Sequence, residues 1–347
     1  MKKMISRRDF LKVAGISAAA LGLAACGGSG TSTAASTAST AASTGSSAAA
    51  SGSAVTLKLG FSTNEEDPRA KGAKQFAEEV AEKTGGAVEV QLYPSGQLGG
   101  DADLINSIAL DSGTVDIIIT DASNFSTYDA KMGISALPFQ FETFDDAWAF
   151  MDSDIEAAAE EGLLSQNMRV LAHYCNGFRC VTNSKGPINS PADMNGLLIR
   201  TPENPVIMAT MTALGANPQP LSFSELYQAL QQKTYDAQEN PIPVIYNNNL
   251  FEVQEYLSIT NHIYSGMCFT IAESSWNKLS AEDQAMFKEC AQKASDEFTE
   301  YFRKTTEDLL QEGIDKGQWV VSQPSDAMKA ELKEIYEQIW EESKNEY

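Results

Sequence analysis

The sequence predicts an α/β fold in two lobes, with one long helix lying across both. Three observations carry this. Strand-type and helix-type periodicities alternate from residue 55 onward, the alternation resumes after a middle stretch, and one helical pattern runs unbroken for about 36 residues near the C-terminal end. Alternation of this kind marks βαβ units around a mostly parallel sheet.

The first 53 residues stand apart from that pattern. Residues 1–26 hold Lys2, Lys3, Arg7, Arg8 and Lys12 against Asp9 alone, a net of +4. Ser6-Arg7-Arg8-Asp9-Phe10-Leu11-Lys12 matches the twin-arginine export pattern, and Val13 to Ala25 is an apolar run too short to span a bilayer as a mature helix. The run ends in Leu23-Ala24-Ala25-Cys26, which resembles a bacterial lipobox. Cys26 is therefore expected to carry a diacyl lipid and to hold the protein at the outer face of the cytoplasmic membrane, on the cell surface or in the periplasm. A secretory signal cut elsewhere, with Cys26 incidental, is the alternative. Residues 27–53 contain only Gly, Ser, Thr and Ala, a flexible tether with an r.m.s. reach of about 30 Å.

The body begins with Val55-Thr56-Leu57-Lys58-Leu59, which alternates with period two. Ala73, Phe76, Ala77, Val80 and Ala81 form one helical face, and Gly85-Gly86 stops that helix. Val88 to Leu92 is the next strand, ended by Tyr93-Pro94-Ser95-Gly96, and a helix follows from about Asp101 to Leu110. Ile117-Ile118-Ile119 is continuously apolar, as in a strand buried on both faces. Met168 to Ala172 and Leu197 to Ile199 read as further strands. Ser222-Phe223-Ser224-Glu225 has capping-box spacing and opens a helix through Leu230. Ser280-Ala281-Glu282-Asp283 opens the long helix, which reaches about Lys316 and so spans on the order of 50 Å. That exceeds one small domain. Two α/β lobes joined by several segments suggest a hinged cleft.

Charge and composition narrow the function. The 347 residues carry 25 Lys+Arg against 47 Asp+Glu, a formal net charge of -22, which leaves -26 for the chain beyond its +4 leader. A nucleic-acid partner needs a basic face to release counterions, so none is expected. Two histidines, His173 and His262, exclude a His-rich metal site or a multi-His relay, and no cofactor is expected. Cys175 and Cys180 could bridge or remain free thiols. No Gly-rich phosphate loop follows a strand and no nucleophile elbow is present, which argues against an enzyme.

Arginine is scarce enough to be informative. Beyond the leader there are only Arg69, Arg169, Arg179, Arg200 and Arg303. Arg200 ends the apolar strand Gly196-Leu197-Leu198-Ile199, and Arg179 sits in Asn176-Gly177-Phe178-Arg179-Cys180-Val181. A guanidinium beside buried strands needs an anionic partner, and its rigid fork suits a carboxylate bidentately. A structural salt bridge to one of the chain's own acids is the competing reading.

The motifs that surround these arginines resemble a family. Leu92-Tyr93-Pro94-Ser95-Gly96-Gln97-Leu98-Gly99, Ala136-Leu137-Pro138-Phe139, Asn176-Gly177-Phe178-Arg179, Asp193-Met194-Asn195-Gly196-Leu197-Leu198-Ile199-Arg200-Thr201-Pro202, Leu214-Gly215-Ala216-Asn217-Pro218, Phe223 to Gln232 and Asp236-Ala237-Gln238-Glu239-Asn240-Pro241 occur in that order from about Lys58 to the C-terminal helices. Together they resemble the extracytoplasmic solute-binding subunits of TRAP (tripartite ATP-independent periplasmic) transporters, the DctP/SiaP type. The resemblance implies a class II-type periplasmic-binding fold. Residues 54–176 with 266–305 would form lobe I, and residues 177–265 with 306–347 lobe II.

It also implies capture of an organic acid and delivery to a permease of a small and a large membrane subunit, driven by an ion gradient, with the binding subunit acting as a monomer. Arg200 would fork the substrate carboxylate, with Arg179 and Asn240 assisting. Phe223, Asp121 and Ser62 fall at further cleft positions, and Tyr174 and Glu203 are weaker candidates. Glu203 stands where the sialic-acid members carry asparagine; an acid beside the clamp favours a hydroxyl-rich acid such as a uronate or other sugar acid. Input to a signalling receptor, an ATP-driven importer's binding protein and an enzyme acting on organic acids are the alternatives.

Overall fold

The structure, a computed structural model, describes residues 55–324, 326, 329–334 and 337. The export leader, Cys26 and the tether lie outside the described residues. In chain order the elements are β1 (Val55–Gly60), α1 (Pro68–Lys83), β2 (Val88–Tyr93), α2 (Asp101–Ala109), β3 (Ile117–Asp121), α3 (Phe144–Met151), α4 (Asp154–Leu164), β4 (Met168–Asn183), β5 (Leu198–Thr201), α5 (Pro205–Ala213), β6 (Asn217–Pro220), α6 (Phe223–Gln231), β7 (Ala237–Pro241), α7 (Ile242–Asn247), β8 (Tyr256–Ala272), α8 (Glu273–Trp276), α9 (Ala281–Asp315) and β9 (Val320–Ser322). Short 3₁₀ turns follow β3 and precede β5.

These strands form one sheet in the order β2-β1-β3-β8-β4-β7-β5-β6, with β9 added to β8. The two flanks are parallel, as the βαβ periodicity predicts: β1 pairs β2 and β3, and β5 pairs β6 and β7. The centre is not. β4 and β8 run antiparallel to each other over their whole length, β3 is antiparallel to β8, and β7 is antiparallel to β4. The expectation of a mostly parallel sheet is corrected for a topological reason. β4 carries the chain from one flank to the other and β8 brings it back, so the two must point in opposite directions.

The crossing strands are long, 16 residues for β4, well beyond the five read from its periodicity, and 17 for β8. The periodicity ends β4 at Ala172, before His173, whereas the strand continues through Asn176-Gly177 to Asn183. The pairing slips by one residue there, between Cys175 and Gly177, and Gly177 takes φ 101°, a conformation a side chain would strain. Each strand changes partners near this point. The early part of β4 faces the later part of β8 beside β3, and the late part of β4 lies against β7.

Separate cores form on the two sides. The larger one combines β1, β3 and α1 with one face of α9, through Phe287, Cys290, Ala294, Phe298 and Phe302 at helical spacing. Phe76 of α1 packs 4.6 Å from Phe269 of β8 and edge-on to Phe287 at 5.3 Å. Each such ring contributes about 1.5–3 kcal/mol by leaving water. On the other side Val181, Ile199, Met211 and Ala237 form one cluster, and Cys180, Leu226, Leu257 and Trp319 another, which Leu309 and Leu310 of α9 join. α9 therefore lies against both lobes, as its length predicts. Ser280 caps it by accepting the Asp283 N–H at 3.1 Å.

The predicted capping box at Ser222 does not form. Its hydroxyl pairs with Ser224 Oγ at 3.0 Å instead. Ser222 also faces Gly100 of the opposite lobe so closely that a Cβ at Gly100 would sit 2.7 Å from Ser222 Oγ. The four cysteines of the body are free and buried, with Cys175 in the first core and Cys180 in the second side's core, which settles the open pairing in favour of free thiols.

Candidate functional site

A cleft opens where the crossing strands change partners. It encloses about 370 Å³ of space between atoms, part of it open to solvent. All six residues singled out for binding (Ser62, Asp121, Arg179, Arg200, Phe223 and Asn240) line it. Ser62 follows β1, Asp121 ends β3, Arg179 belongs to β4, Arg200 to β5, Asn240 to β7, and Phe223 opens α6. β7 is flanked by β4 and β5, so its register sets Arg179 opposite Pro241 and Arg200 opposite Gln238. Three segments distant in sequence are thereby brought side by side.

The two arginines differ in their surroundings. Arg179 is 4% exposed and engages its own protein: Nε and Nη2 fork Glu239, with 2.7 Å from Nη2 to Oε1, and Nη2 also reaches the Glu239 carbonyl at 2.8 Å. Asn240 Oδ1 accepts from Nη2 at 3.3 Å, and Asp121 Oδ2 lies 3.9 Å from Nη1. Burial raises the Glu239 pKa, yet the attraction of Arg179, with help from His262, outweighs it and holds the carboxyl down at about 2. His262 Nε2 meets Glu239 Oε2 at 3.2 Å, while burial lowers the imidazole's own pKa. The salt-bridge reading thus describes much of Arg179, leaving chiefly Nη1 toward the cleft.

Arg200 is 2% exposed and has no such compensation. Nε and Nη2 donate to the Leu221 carbonyl at 2.8 and 2.6 Å, and the Phe223 ring lies 5.7 Å from the guanidinium. The other four arginines of the body each have a carboxylate within 4 Å. Among the described residues Arg200 has none. Burial lowers its pKa to about 10, so it stays cationic at neutral pH. A guanidinium has five N–H donors, and two are engaged by Leu221, so the outer Nη1/Nη2 edge remains for a planar oxyanion.

The other predicted residues are partly committed. Asp121 accepts from the Ser123 N–H at 3.0 Å, from the Ser123 hydroxyl and from the Ser265 hydroxyl. Asn240 Nδ2 donates to Gln238 Oε1 at 2.6 Å. Glu203 is exposed and does not line the cleft, and Tyr174 is stacked in the first core against Phe269 and Phe298. A preference for hydroxylated acids therefore cannot rest on Glu203.

Sequence reasoning missed Arg69, Asp101, Asn124 and Asn176, which also line the cleft. Burial raises the Asp101 pKa against the pull of Arg69. Asp101 Oδ1, Arg69 Nε, Thr63 Oγ1 and Asn176 Oδ1 are buried without a hydrogen-bond partner in the protein. Asn176 sat in a quoted motif and Asp101 opens a predicted helix, so a signal existed for both. Nothing in the local sequence marked Arg69 or Asn124.

The lobes meet across the cleft. Asn204, which caps α5, donates to Ser123 Oγ at 2.7 Å and Asn124 Oδ1 at 3.0 Å, and Asn248 donates to Asp67 Oδ2 at 3.1 Å.

A two-lobed body that closes over a polar cleft, with a buried cation left for a guest, is a solute-binding protein. The chain belongs to the bacterial extracellular solute-binding proteins, family 7, whose model matches residues 59–346, and it is the binding component of a TRAP transporter. It is 34% identical to the 2,3-diketo-L-gulonate-binding periplasmic protein of Escherichia coli K12 over 262 residues, 76% of this chain and 78% of that one. Among solved structures it is similar to a TRAP periplasmic solute-binding protein from Polaromonas sp. JS666 bound to D-erythronate, with 34% identity, a TM-score of 0.76, and 83% and 93% of the two chains covered. A TRAP protein from Sulfurospirillum deleyianum with bound succinate gives 29% identity, a TM-score of 0.77 and the same coverages.

Residues 4–24 match the twin-arginine translocation signal. This overturns the expected lipid anchor at Cys26. The paired arginines and the apolar run up to Ala24 are accounted for as an export address, and the protein is an exported periplasmic one without lipid attachment.

Proposed function

We propose that the cleft captures a hydroxylated monocarboxylate, a sugar acid, and that Arg200 is its carboxylate clamp. The observation that carries this reading is the lone uncompensated guanidinium of Arg200 in a buried site. Leaving a buried cation unpaired costs several kcal/mol, and a guest carboxylate offsets that cost with charge-assisted bonds. Arg179, positioned by Glu239, adds Nη1, and Asn240 adds its amide. Asp101, Asp121, Asn124 and Asn176 supply acceptors and amides suited to hydroxyl groups. Their two carboxylates would repel a second carboxylate on the ligand. Relatives that bind D-erythronate and 2,3-diketo-L-gulonate support the same class.

Residues 54–176 with 266–305 and residues 177–265 with 306–347 act as the two moving lobes, hinged where β4 and β8 exchange partners and along α9. The open lobes admit the acid, closure forms the Asn204 and Asn248 contacts, and the closed monomer docks on the small and large permease subunits. The chain performs no reaction on the acid.

Thermal-shift and calorimetric titration of the purified protein with L-galactonate, D-erythronate and succinate tests the proposal. Sugar acids should raise the melting temperature and bind one per chain. Stabilisation by succinate alone would sink the sugar-acid assignment in favour of a plain dicarboxylate, which the succinate-bound relative favours.

A further inference from the structure

A second cluster lies in lobe I, made of side chains that do not line the cleft. His173 of β4 and Cys268 of β8 are directly paired across the antiparallel ladder, so their side chains share one face of the sheet. α4 covers this face, and Glu160 on α4 hydrogen-bonds His173 Nε2. One ligand atom each from Glu160, His173 and Cys268 lie within 4.8 Å of one another.

A second observation points to a guest. Glu156, one helical turn before Glu160 and so on the same face of α4, is 0% exposed, and both its carboxyl oxygens are buried without a hydrogen-bond partner. His173 and Glu160 are the charged groups that act on it most strongly. A carboxyl in that position needs a cation or a donor, and among the described residues no group donates a hydrogen bond to it.

We infer that Glu160, His173 and Cys268, with the buried Glu156 one helical turn from Glu160, form a binding site for a divalent ion of zinc type. Imidazole nitrogen, thiolate sulfur and carboxylate oxygen are the donor set that such an ion takes tetrahedrally. Zinc bonds of about 2.0–2.3 Å place neighbouring ligand atoms about 3.3–3.8 Å apart, so the Glu160, His173 and Cys268 ligand atoms close on an ion by about 1 Å of side-chain adjustment. Binding displaces the thiol proton of Cys268 to solvent and leaves a thiolate ligand. The rim supplies the way in: the His173 and Glu160 side chains are 18% and 19% exposed, whereas Cys268 and Glu156 lie beneath. A site in this position would tie α4 to the two crossing strands and stiffen lobe I without touching the cleft.

The test uses the purified full chain, equilibrated with zinc and passed through gel filtration, with metal content measured afterwards. One zinc per chain should be retained and removed by a chelator. The rim variant His173→Gln and the variant Cys268→Ser should each retain at least tenfold less, with unchanged far-UV circular dichroism and an undiminished thermal shift on adding a sugar acid. Cobalt loaded in place of zinc should give a near-ultraviolet thiolate-to-metal charge-transfer band that Cys268→Ser abolishes. Equal zinc in parent and His173→Gln, no retained zinc at all, or a cobalt protein lacking the thiolate band would overturn the site. None of these outcomes bears on the sugar-acid reading, which the thermal shift reads separately.

Discussion

Two buried arginines flank β7, and they live under opposite electrostatic regimes. Arg179 is clasped by Glu239, itself backed by His262, so its charge is balanced within the protein. Among the described residues Arg200 has the Leu221 carbonyl and the face of Phe223 beside it, and no carboxylate within 4 Å. The first arrangement is a fold element that also lends one edge to the cleft. The second is a site kept short of one negative charge. Burial is nearly equal for the two, so the difference between them is the internal carboxylate that only Arg179 has within 4 Å among the described residues.

The largest effect should come from breaking the balanced pair. Glu239→Ala leaves Arg179 buried without its carboxylate and should lower unfolding stability by about 3–5 kcal/mol in a denaturant titration. The same pair predicts acid sensitivity. The Glu239 carboxyl is depressed from 4.5 to about 2, so its stabilisation is fully present above pH 4.5 and disappears as pH falls toward 2. A Glu239→Gln protein should show a flatter stability profile across that window. Unchanged stability in Glu239→Ala would mean that Arg179 is not balanced in this way.

Arg200→Ala should act on binding instead. It removes the end-on fork and should weaken sugar-acid affinity by at least about 2–3 kcal/mol, measured by calorimetry. Arg200→Met removes the charge but keeps the bulk. Its ligand-free stability should stay within about 1 kcal/mol of the parent, because loss of the Leu221 bonds is offset by removal of an unpaired buried charge. A ligand-free protein destabilised as strongly as Glu239→Ala would erase the contrast between the two arginines.

The smallest effect belongs to Phe223, whose ring faces the Arg200 guanidinium. Phe223→Leu keeps the packing but deletes the ring, and should cost about 1 kcal/mol of ligand affinity with little change in stability. An affinity equal to the parent's would reduce Phe223 to core packing.

Much of this was legible in the chain. Period-two and helical patterns placed β1, α1, β2, α2 and α9 within a few residues, because each element buries one continuous face. Arginine scarcity drew attention to Arg179 and Arg200, and the family resemblance brought in Asn240, Phe223, Asp121 and Ser62. The misreadings share a cause. β4 was cut short at Ala172, the sheet was read as mostly parallel, Ser222 was read as a side-chain cap, and Glu203 was placed at the clamp. Each depends on which segment arrives from far away in sequence. Arg69 and Asn124 were missed for the same reason.

The sequence by itself determined the export address, the alternation of elements, the length of the spanning helix and the shortage of cations in an acidic body. These follow from local periodicity and counting. Only the tertiary structure decided which arginine is neutralised by an internal carboxylate and which is not. That depends on β4 and β5 flanking β7, and on Glu239 reaching Arg179 while no described acid comes within 4 Å of Arg200. Charge compensation in a buried site acts over a few ångströms of space, and the fold brings residues that far apart in the chain to that distance.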